Sequence, residues 1–499
     1  MKPHTKDFLA GVLIVSILIF ASCRGMAMLT AVPMIALANN SDMIRVQACI
    51  GAYPVRDSIV PAWSNNPRAP IGSYRFLSTP MDSCFYTSEL VFAFMAKPLM
   101  WIESWLTEDG TFSIRWVGFV KLSVILILAW SFSIFWLYKK NNLAALLNAV
   151  IVAAVLMDPA NTIYLNGFYA EFSTVIFAYA VLAGSMVLMQ GGSGFLIAIF
   201  VGVAVVGLTT SKVQHAMAGI AILIALLSMT LTGFVIQKKL LISLFIAALL
   251  GLAIQITYLK HHDLQVMRLV NMTNVVFMTI MPLSEDPAAL VKHLDLPEDC
   301  GKYSGLSWWL PPVSQKIENH PCREVADVSY FRLIKLIFNQ PVTMLRLVGG
   351  GMAHLRPWLG NRTYDGVIYL GVVEGGDLAD LPDGWFSWSR VLDFLSPLQF
   401  ALFLMLPAFL LPAIFYHSRL GRRQLSLDAL LVMLVFLGAS TYISILMGNG
   451  YMDTAKVANL MINSLLSFWI LGSMAFVFII STQVCRICGF ICPESKRLR

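Results

Sequence analysis

The chain has 499 residues, of which 58% are apolar and 13% charged, and it carries a net charge of +7 with a mean hydropathy of +0.73. Such a composition cannot clothe a soluble globule in polar surface, so an all-α polytopic membrane protein is expected. Of the 35 Lys and Arg, 13 fall in the proposed inner turns and at the termini, whereas the short outer loops offer only Lys212 and Lys456; no basic tract is interleaved with aromatics, so the lipid bilayer is an expected partner and nucleic acid is not.

The first apolar run extends from Phe8 to about Ala38 and is interrupted by Arg24 and Pro33. A signal peptide is the competing reading, because Lys2 and Lys6 precede the run and Ala36-Leu37-Ala38 resembles a cleavage site. The run is longer than the roughly 7 to 15 residues of a signal-peptide core, and under either reading the next segment is extracytoplasmic. That first outer loop, 39–115, carries Asp42, Arg45, Asp57, Asp82 and Glu89, and its moderately apolar stretch Glu89 to Leu106 is expected to form interfacial helices. The second span, about Trp116 to Tyr138, stops at Lys139-Lys140, and the third runs from Leu143 to Met157.

Between the third and fourth spans stands the polar stretch DPANTIYLNGFYAEF, Asp158 to Phe172. A carboxylate at the centre of a membrane helix costs roughly 2.5 to 3.5 kcal/mol to insert, and less near the interface, so Glu171 implies a polar site. With a helix running from Ile163, Tyr164, Gly167 and Glu171 would share one stripe, and Gly167 would leave space beside the acid. The fourth span, about Phe168 to Met189, ends at Gly191-Gly192-Ser193-Gly194, and the fifth, Phe195 to about Leu208, emerges at TTSKVQHA. The sixth returns to Gln237-Lys238-Lys239, and the seventh covers Leu240 to Leu259. Lys260 to Asp393 holds more than half of the 28 acidic residues and clustered prolines and tryptophans, which implies a folded extracytoplasmic domain.

Three closing spans follow, near Leu398 to Tyr416, Leu427 to Met447 and Val457 to Thr482. Ten spans divide the chain into 1–259, 260–393 and 394–499. The basic turns at Lys139, Lys238 and Arg422 place both termini in the cytoplasm of a cell whose cytoplasmic membrane holds the chain. Cys49 with Cys84, and Cys300 with Cys322, are pairs that an oxidising compartment would bridge, the alternative being four free thiols. Cys485, Cys488 and Cys492 make an incomplete zinc pattern at the inner side. No internal repeat is apparent, which weakens the case for the usual architecture of a secondary transporter.

No dinucleotide fingerprint, P-loop, zincin motif or nucleophile elbow stands in a supporting context, so any chemistry must come from the outward polar groups. They converge at one bilayer face. Asp42 and Glu171 are the candidate catalytic carboxylates, while Lys212, Gln214, His215 and Arg45 are candidate ligands for a lipid phosphate. Glu89, Asn161, Tyr164, Asn166 and Tyr169 are candidate substrate contacts. Carboxylates can serve as a general base and as ligands of a divalent metal. The competing readings are a snorkelling interfacial lysine for Lys212 and a satisfied packing histidine for His215.

NNSDMIRV after the first span, FYTSELVF in the first loop, YLNGFYAEF before the fourth span, TSKVQH after the fifth and MPLSEDPAALVKHLDLP after the seventh stand in an order that resembles the glycan biosynthesis hexose transferases of the WsfD type. That family is grouped with the GT-C glycosyltransferases. The resemblance covers about Phe8 to Arg356 and implies transfer of a hexose from a polyprenyl-phosphate-linked sugar donor to a glycan acceptor of the cell envelope, at the outer face. It also implies a catalytic acid in the first outer loop, which is Asp42 here; the chain departs from the family in having Met43 next to it. A transporter or flippase of a lipid-linked glycan is the alternative, and would place ionisable groups at the bilayer midplane.

Overall fold

The computed structural model describes residues 3–37, 41–55, 70–77, 84–191, 194–258, 262–308, 310–311, 313, 319–355, 362–364, 367–370, 385–420, 425–448, 450–451 and 454–487. Helix α1 (Pro3–Thr30) is apolar along most of its length and leads into the first loop, where α2 (Ser41–Ile50), strands β1 (Ala52–Pro54) and β2 (Ser73–Phe76), α3 (Glu89–Leu106) and β3 (Thr111–Ser113) follow. The three strands form an antiparallel sheet in the order β1-β2-β3. Tyr74 stands opposite Phe112, and the two rings stack. This sheet is absent from an all-α expectation because each strand is only three or four residues long, too short to show an alternating pattern. A disulfide joins Cys49, in α2, to Cys84 and ties α2 to the segment that leads into α3. One helix, not several, occupies Glu89–Leu106: it buries Phe92, Ala93, Ala96 and Met100 and exposes Phe94, Met95, Trp101 and Trp105.

The central bundle comprises α4 (Arg115–Tyr138), α5 (Asn142–Ile151), α6 (Pro159–Thr162), α7 (Ala170–Met189), α8 (Phe195–Thr209), α9 (Ala218–Thr230) and α10 (Lys238–Tyr258). A π-helical segment, Val152–Leu156, prolongs α5. Small residues let α8 lie close to α10: a Cβ on Gly202 would meet Ser243, and one on Gly251 would collide with Thr209. Lys139, Lys140, Lys238 and Lys239 mark one end of the bundle, the basic end. The opposite, polar end holds α2, the 158–169 segment and the turn after α8.

Next come α11 (His262–Thr273), a π-helical continuation to Ile280, α12 (Pro287–His293), α13 (Tyr330–Asn339), α14 (Pro341–Ala353), the hairpin of β4 (Arg362–Tyr364) and β5 (Val367–Leu370), and α15 (Trp388–Phe394). A second disulfide joins Cys300 to Cys322. The last helices are α16 (Pro397–Phe409), α17 (Leu411–Leu420), α18 (Leu425–Gly448), the short α19 (Thr454–Val457) and α20 (Asn459–Ile487). The 262–353 segment is docked on the bundle, with Tyr442 Oη donating to Val348 O at 2.5 Å and Tyr451 Oη to Leu347 O at 2.8 Å.

The protein is a polytopic α-helical membrane protein. Eight helical stretches among the described residues are long and apolar enough to span a bilayer, and Asn142–Leu156, Phe195–Thr209 and Asn459–Met474 are shorter apolar helices. Seven of the ten expected spans are among the eight, and the three shorter helices stand at the other expected positions. The eighth long stretch, Val266–Leu283, lies inside the segment expected outside the membrane. The fourth span also starts later than a helix from Ile163 would. Lys121 draws the carbonyls of Tyr164, Gly167 and Tyr169 onto one ammonium group, a convergence that helical carbonyls, all parallel to the axis, cannot make.

The charge asymmetry sets a test of orientation. In a background lacking the unpaired cysteines, a cysteine replacing exposed Lys302 should react with a membrane-impermeant thiol reagent on intact cells, whereas one replacing exposed Lys140 should react only after lysis. The reverse pattern would invert the topology.

Candidate functional site

The polar end is built in two layers. In the lower layer Lys121, carried by α4, is fully buried and its Nζ lies 2.6 Å from Glu89 Oε1, also fully buried, at the start of α3. Nζ also donates to Gly167 O at 2.8 Å and to Tyr169 O at 3.2 Å. Ser173 Oγ of α7 donates to the other Glu89 oxygen. Burial raises the Glu89 carboxyl to about 7, with Lys121 and Ser173 pulling the other way. One ion pair thus fixes α3, α4, α7 and the turn between α6 and α7 to one another.

Above it lies an alternating array of charge. Lys212 Nζ is 2.5 Å from Glu171 Oε1, Lys456 Nζ is 3.9 Å from the same oxygen, and Lys456 is also paired with Asp42 Oδ2. The Lys456 ammonium lies 4.6 Å from the centroid of the Tyr169 ring. Asp42 sits in the first turn of α2 with its side chain 39% exposed, whereas Lys456 is 1% exposed, so Asp42 is the member of this pair open to solvent. Glu171 Oε2 and His215 Nε2 are buried and have no hydrogen-bond partner among the described residues. His215 is otherwise held by Ser211 Oγ at 2.9 Å from Nδ1.

The structure therefore brings Asp42, Tyr169, Glu171 and Lys212 together around Lys456. The space expected beside Gly167 is filled by Met43 and Tyr169, whose atoms stand 3.3 Å from where a Cβ would lie. Gln214 is half-buried against Gly448 at the end of α18. Arg45 belongs to α2, but its side chain lies outside the described residues, as do Asp57 and Asp82.

The remaining candidates support the turn from within. Asn161 and Asn463 exchange amide hydrogen bonds at 2.7 and 2.8 Å, and Asn459 Nδ2 donates to Asn161 Oδ1 at 3.0 Å. Asn166 Nδ2 donates to Ile35 O at 3.1 Å, and Tyr164 packs edge-on to Tyr169 with centroids 5.8 Å apart. Asp158 caps α6 by accepting from Ala160 N, and it accepts Ser387 Oγ at 2.8 Å and Trp388 N at 2.9 Å. Arg24, at 3.6 Å from Asp158, is bound at this same end.

Four residues of this arrangement escape a reading of the sequence for polar loops. Lys121 lies within an apolar span, where its insertion cost carries the same signal as that of Glu171. Lys456 opens the last span, and Asn459 and Asn463 stand one turn apart on it, a spacing that puts two amides on one helix face.

An apolar groove of about 890 Å³ runs beside the array, between the start of α3, α7, α8 and α10. It extends from Lys239 at the basic end to Thr87, Ser88 and Thr210 at the polar end. Ser88 N donates to Thr210 O at 3.2 Å and Thr87 Oγ1 to Ser211 O at 2.6 Å, so the turn that closes the groove is the one that carries Lys212. Ser88 Oγ is buried without a hydrogen-bond partner among the described residues.

Among the described residues, one group of three potential metal ligands converges, Cys300, Cys322 and Glu324, with ligand atoms within 4.8 Å of one another. Both sulfurs belong to the disulfide, so with the bridge intact this group offers a cation one carboxylate. At the polar end the carboxylates of Asp42 and Glu171 face lysines, a donor set that does not fit a divalent metal.

The family described as the YfdI N-terminal transmembrane domain matches residues 3–353. Asp42, Glu171 and Lys212 lie inside the matched segment and Lys456 outside it. No curated protein and no solved structure matches the chain.

The lower layer makes its own prediction. Glu89→Gln leaves a buried ammonium without its counter-charge, which typically costs about 3 to 5 kcal/mol, so the detergent-solubilised protein should lose several degrees of Tm. Lys121→Met should do the same, and the double variant should be more stable than either single one. Unchanged Tm in both singles would show that the pair does not hold the layer.

Proposed function

The chain belongs to the family of the YfdI N-terminal transmembrane domain, and on that footing we propose that it is a membrane glycosyltransferase of GT-C type, moving a hexose from a polyprenyl-phosphate sugar to a cell-envelope glycan. The family's description names a transmembrane domain and no chemistry, so the reading rests on the site. The observation that carries it is the pairing of an alternating lysine–carboxylate array with a bilayer-depth apolar groove whose closing turn holds Lys212. A lipid-linked phospho-sugar has these two requirements, an apolar channel for its chain and cations for its phosphate where the chain ends.

In this mechanism the donor phosphate competes for Lys212 and Lys456. Drawing Lys456 towards the phosphate releases the Asp42 carboxylate, which Lys456 otherwise holds. The acceptor hydroxyl oxygen attacks the anomeric carbon as the bond from that carbon to the phosphate oxygen breaks. The hydroxyl proton passes to Asp42, and the polyprenyl phosphate leaves with its added charge facing the lysines. Glu171, fixed by Lys212, keeps Oε2 free for a hydrogen bond from the sugar.

The groove also suits a carrier of lipid-linked glycan, because it reaches from one end of the bundle to the other. Glycan composition in cells with and without the chain separates the two. A missing hexose branch on otherwise normal glycan supports transfer, whereas loss of the whole glycan from the surface supports transport.

Asp42→Asn keeps the shape and removes the proton acceptor, so transfer by the purified protein should fall by about 10² to 10⁴-fold with donor binding near normal. Transfer at the unmutated rate would remove Asp42 as base. Lys212→Ala should weaken donor binding more than it slows a saturated enzyme. Normal donor affinity in that variant would reduce Lys212 to a partner of Glu171 alone. Glu171→Gln should damage activity less selectively, because it also frees Lys212.

A further inference from the structure

At the basic end, away from the Asp42 array, lies a second cavity of about 220 Å³ between α4, α5, α7, α18 and α20. Its walls are largely leucine, with Leu147, Leu182, Leu430 and Leu434 among them, and it becomes polar at Asn141, Gln190 and Ser426. The polar groups deeper in it are satisfied within the protein. Tyr179 Oη donates to Asn148 Oδ1 at 2.7 Å, and Asn148 Nδ2 donates to Ser133 Oγ at 2.8 Å.

Trp136 is the exception. Its ring lines the cavity, it is 3% exposed, and its Nε1–H has no acceptor among the described residues. Trp116, Trp388 and Trp469 each donate their indole N–H, to Glu103, Ala154 O and Phe403 O. An orphaned donor at membrane depth is costly because hydrocarbon offers it nothing. Trp136 stands one turn before the exposed Lys139 and Lys140, in the last turn of α4, at the level where interfacial tryptophans meet lipid ester and phosphate oxygens.

We propose that this cavity is a site for an anionic phospholipid of the leaflet at the basic end. The start of one acyl chain lies against the leucine wall, a lipid oxygen accepts the Trp136 N–H, and Lys139 and Lys140 face the phosphate. The cavity is too small for a whole lipid and open enough for the remainder to stay in the bilayer. The exposed charges beside the mouth are Lys139, Lys140 and Asp7, which accepts from Asn142 Nδ2 at 2.9 Å, while Asp428, next to Leu427, is largely buried against His417; the exposed charge is net positive and favours an anionic headgroup. The proposal is independent of the transferase reading, since no residue of the Asp42 array takes part.

The test is native mass spectrometry of the full chain, exchanged from detergent into phosphatidylglycerol or phosphatidylcholine. The wild type should retain phosphatidylglycerol in preference to phosphatidylcholine, and Trp136→Phe, which keeps the ring and removes the donor, should weaken retention about tenfold, as expected for one hydrogen bond to a charged group. Lys139→Gln with Lys140→Gln should abolish the preference between the two lipids. Ala183→Leu, which fills the cavity from α7 and leaves Trp136 in place, should also release the lipid, and it serves if Trp136→Phe does not fold. Equal retention by wild type and Ala183→Leu would overturn the proposal. So would displacement of the lipid by polyprenyl phosphate at equal concentration, which would make the cavity a donor site.

Discussion

The ion pair between Lys121 and Glu89 is the constraint on which the polar end depends. Two charges buried in a membrane bundle are tolerable only if each satisfies the other and the remaining valences are met by hydrogen bonds. Lys121 meets this condition by gathering backbone carbonyls of the turn before α7, and Glu89 by accepting from Ser173. The turn cannot then be helical, and its irregular path places Tyr169 and Glu171 beneath Lys456. The outward array therefore inherits its geometry from a pair that itself is closed to solvent.

Charge alternation gives the array a second property. Asp42, Lys456, Glu171 and Lys212 form a sequence of opposite signs, so each member is stabilised by its neighbours while no ligand is present. Under the proposed function, an arriving anionic donor would meet two cations, and a released carboxylate would be the consequence of binding it. Glu171 Oε2 and His215 Nε2, which have no hydrogen-bond partner among the described residues, lie within this same neighbourhood, and a buried polar atom left unmet carries a cost. The groove beside α8 and α10 adds an apolar surface next to the turn that carries Lys212.

The two ends of the bundle differ in kind. Long-range links hold the polar end: the Asn161, Asn459 and Asn463 amides join the first half of the chain to the last span, and Asp158 clamps α15 through Ser387 and Trp388. Inter-helix amide pairs of this sort act in hydrocarbon as directional fasteners where apolar packing alone has no preference for one register. At the basic end the bundle leaves a partly open cavity with one unmet donor, Trp136. Rigidity is thus concentrated where the charged groups must hold fixed positions.

Composition and the spacing of apolar runs were enough to determine a polytopic helical membrane protein, the approximate limits of its spans and the clustering of Asp42, Glu171 and Lys212 at one face. These follow from local physics, since a run of apolar residues must find hydrocarbon and a carboxylate at a helix end must find water or a partner. Hydropathy also under-weighted Val266–Leu283, whose polar residues dilute an apolar stretch that becomes evident once it is seen to be helical. Only the tertiary structure decided that Lys456, more than four hundred positions from Asp42, is its partner, that Glu89 and Asn161 turn inward as supports, and that the helix before Glu171 is broken. Pairings of this kind depend on which helices are neighbours, a choice made by close packing at small residues and by mutual satisfaction of buried polar groups, neither of which leaves a periodic trace in the chain.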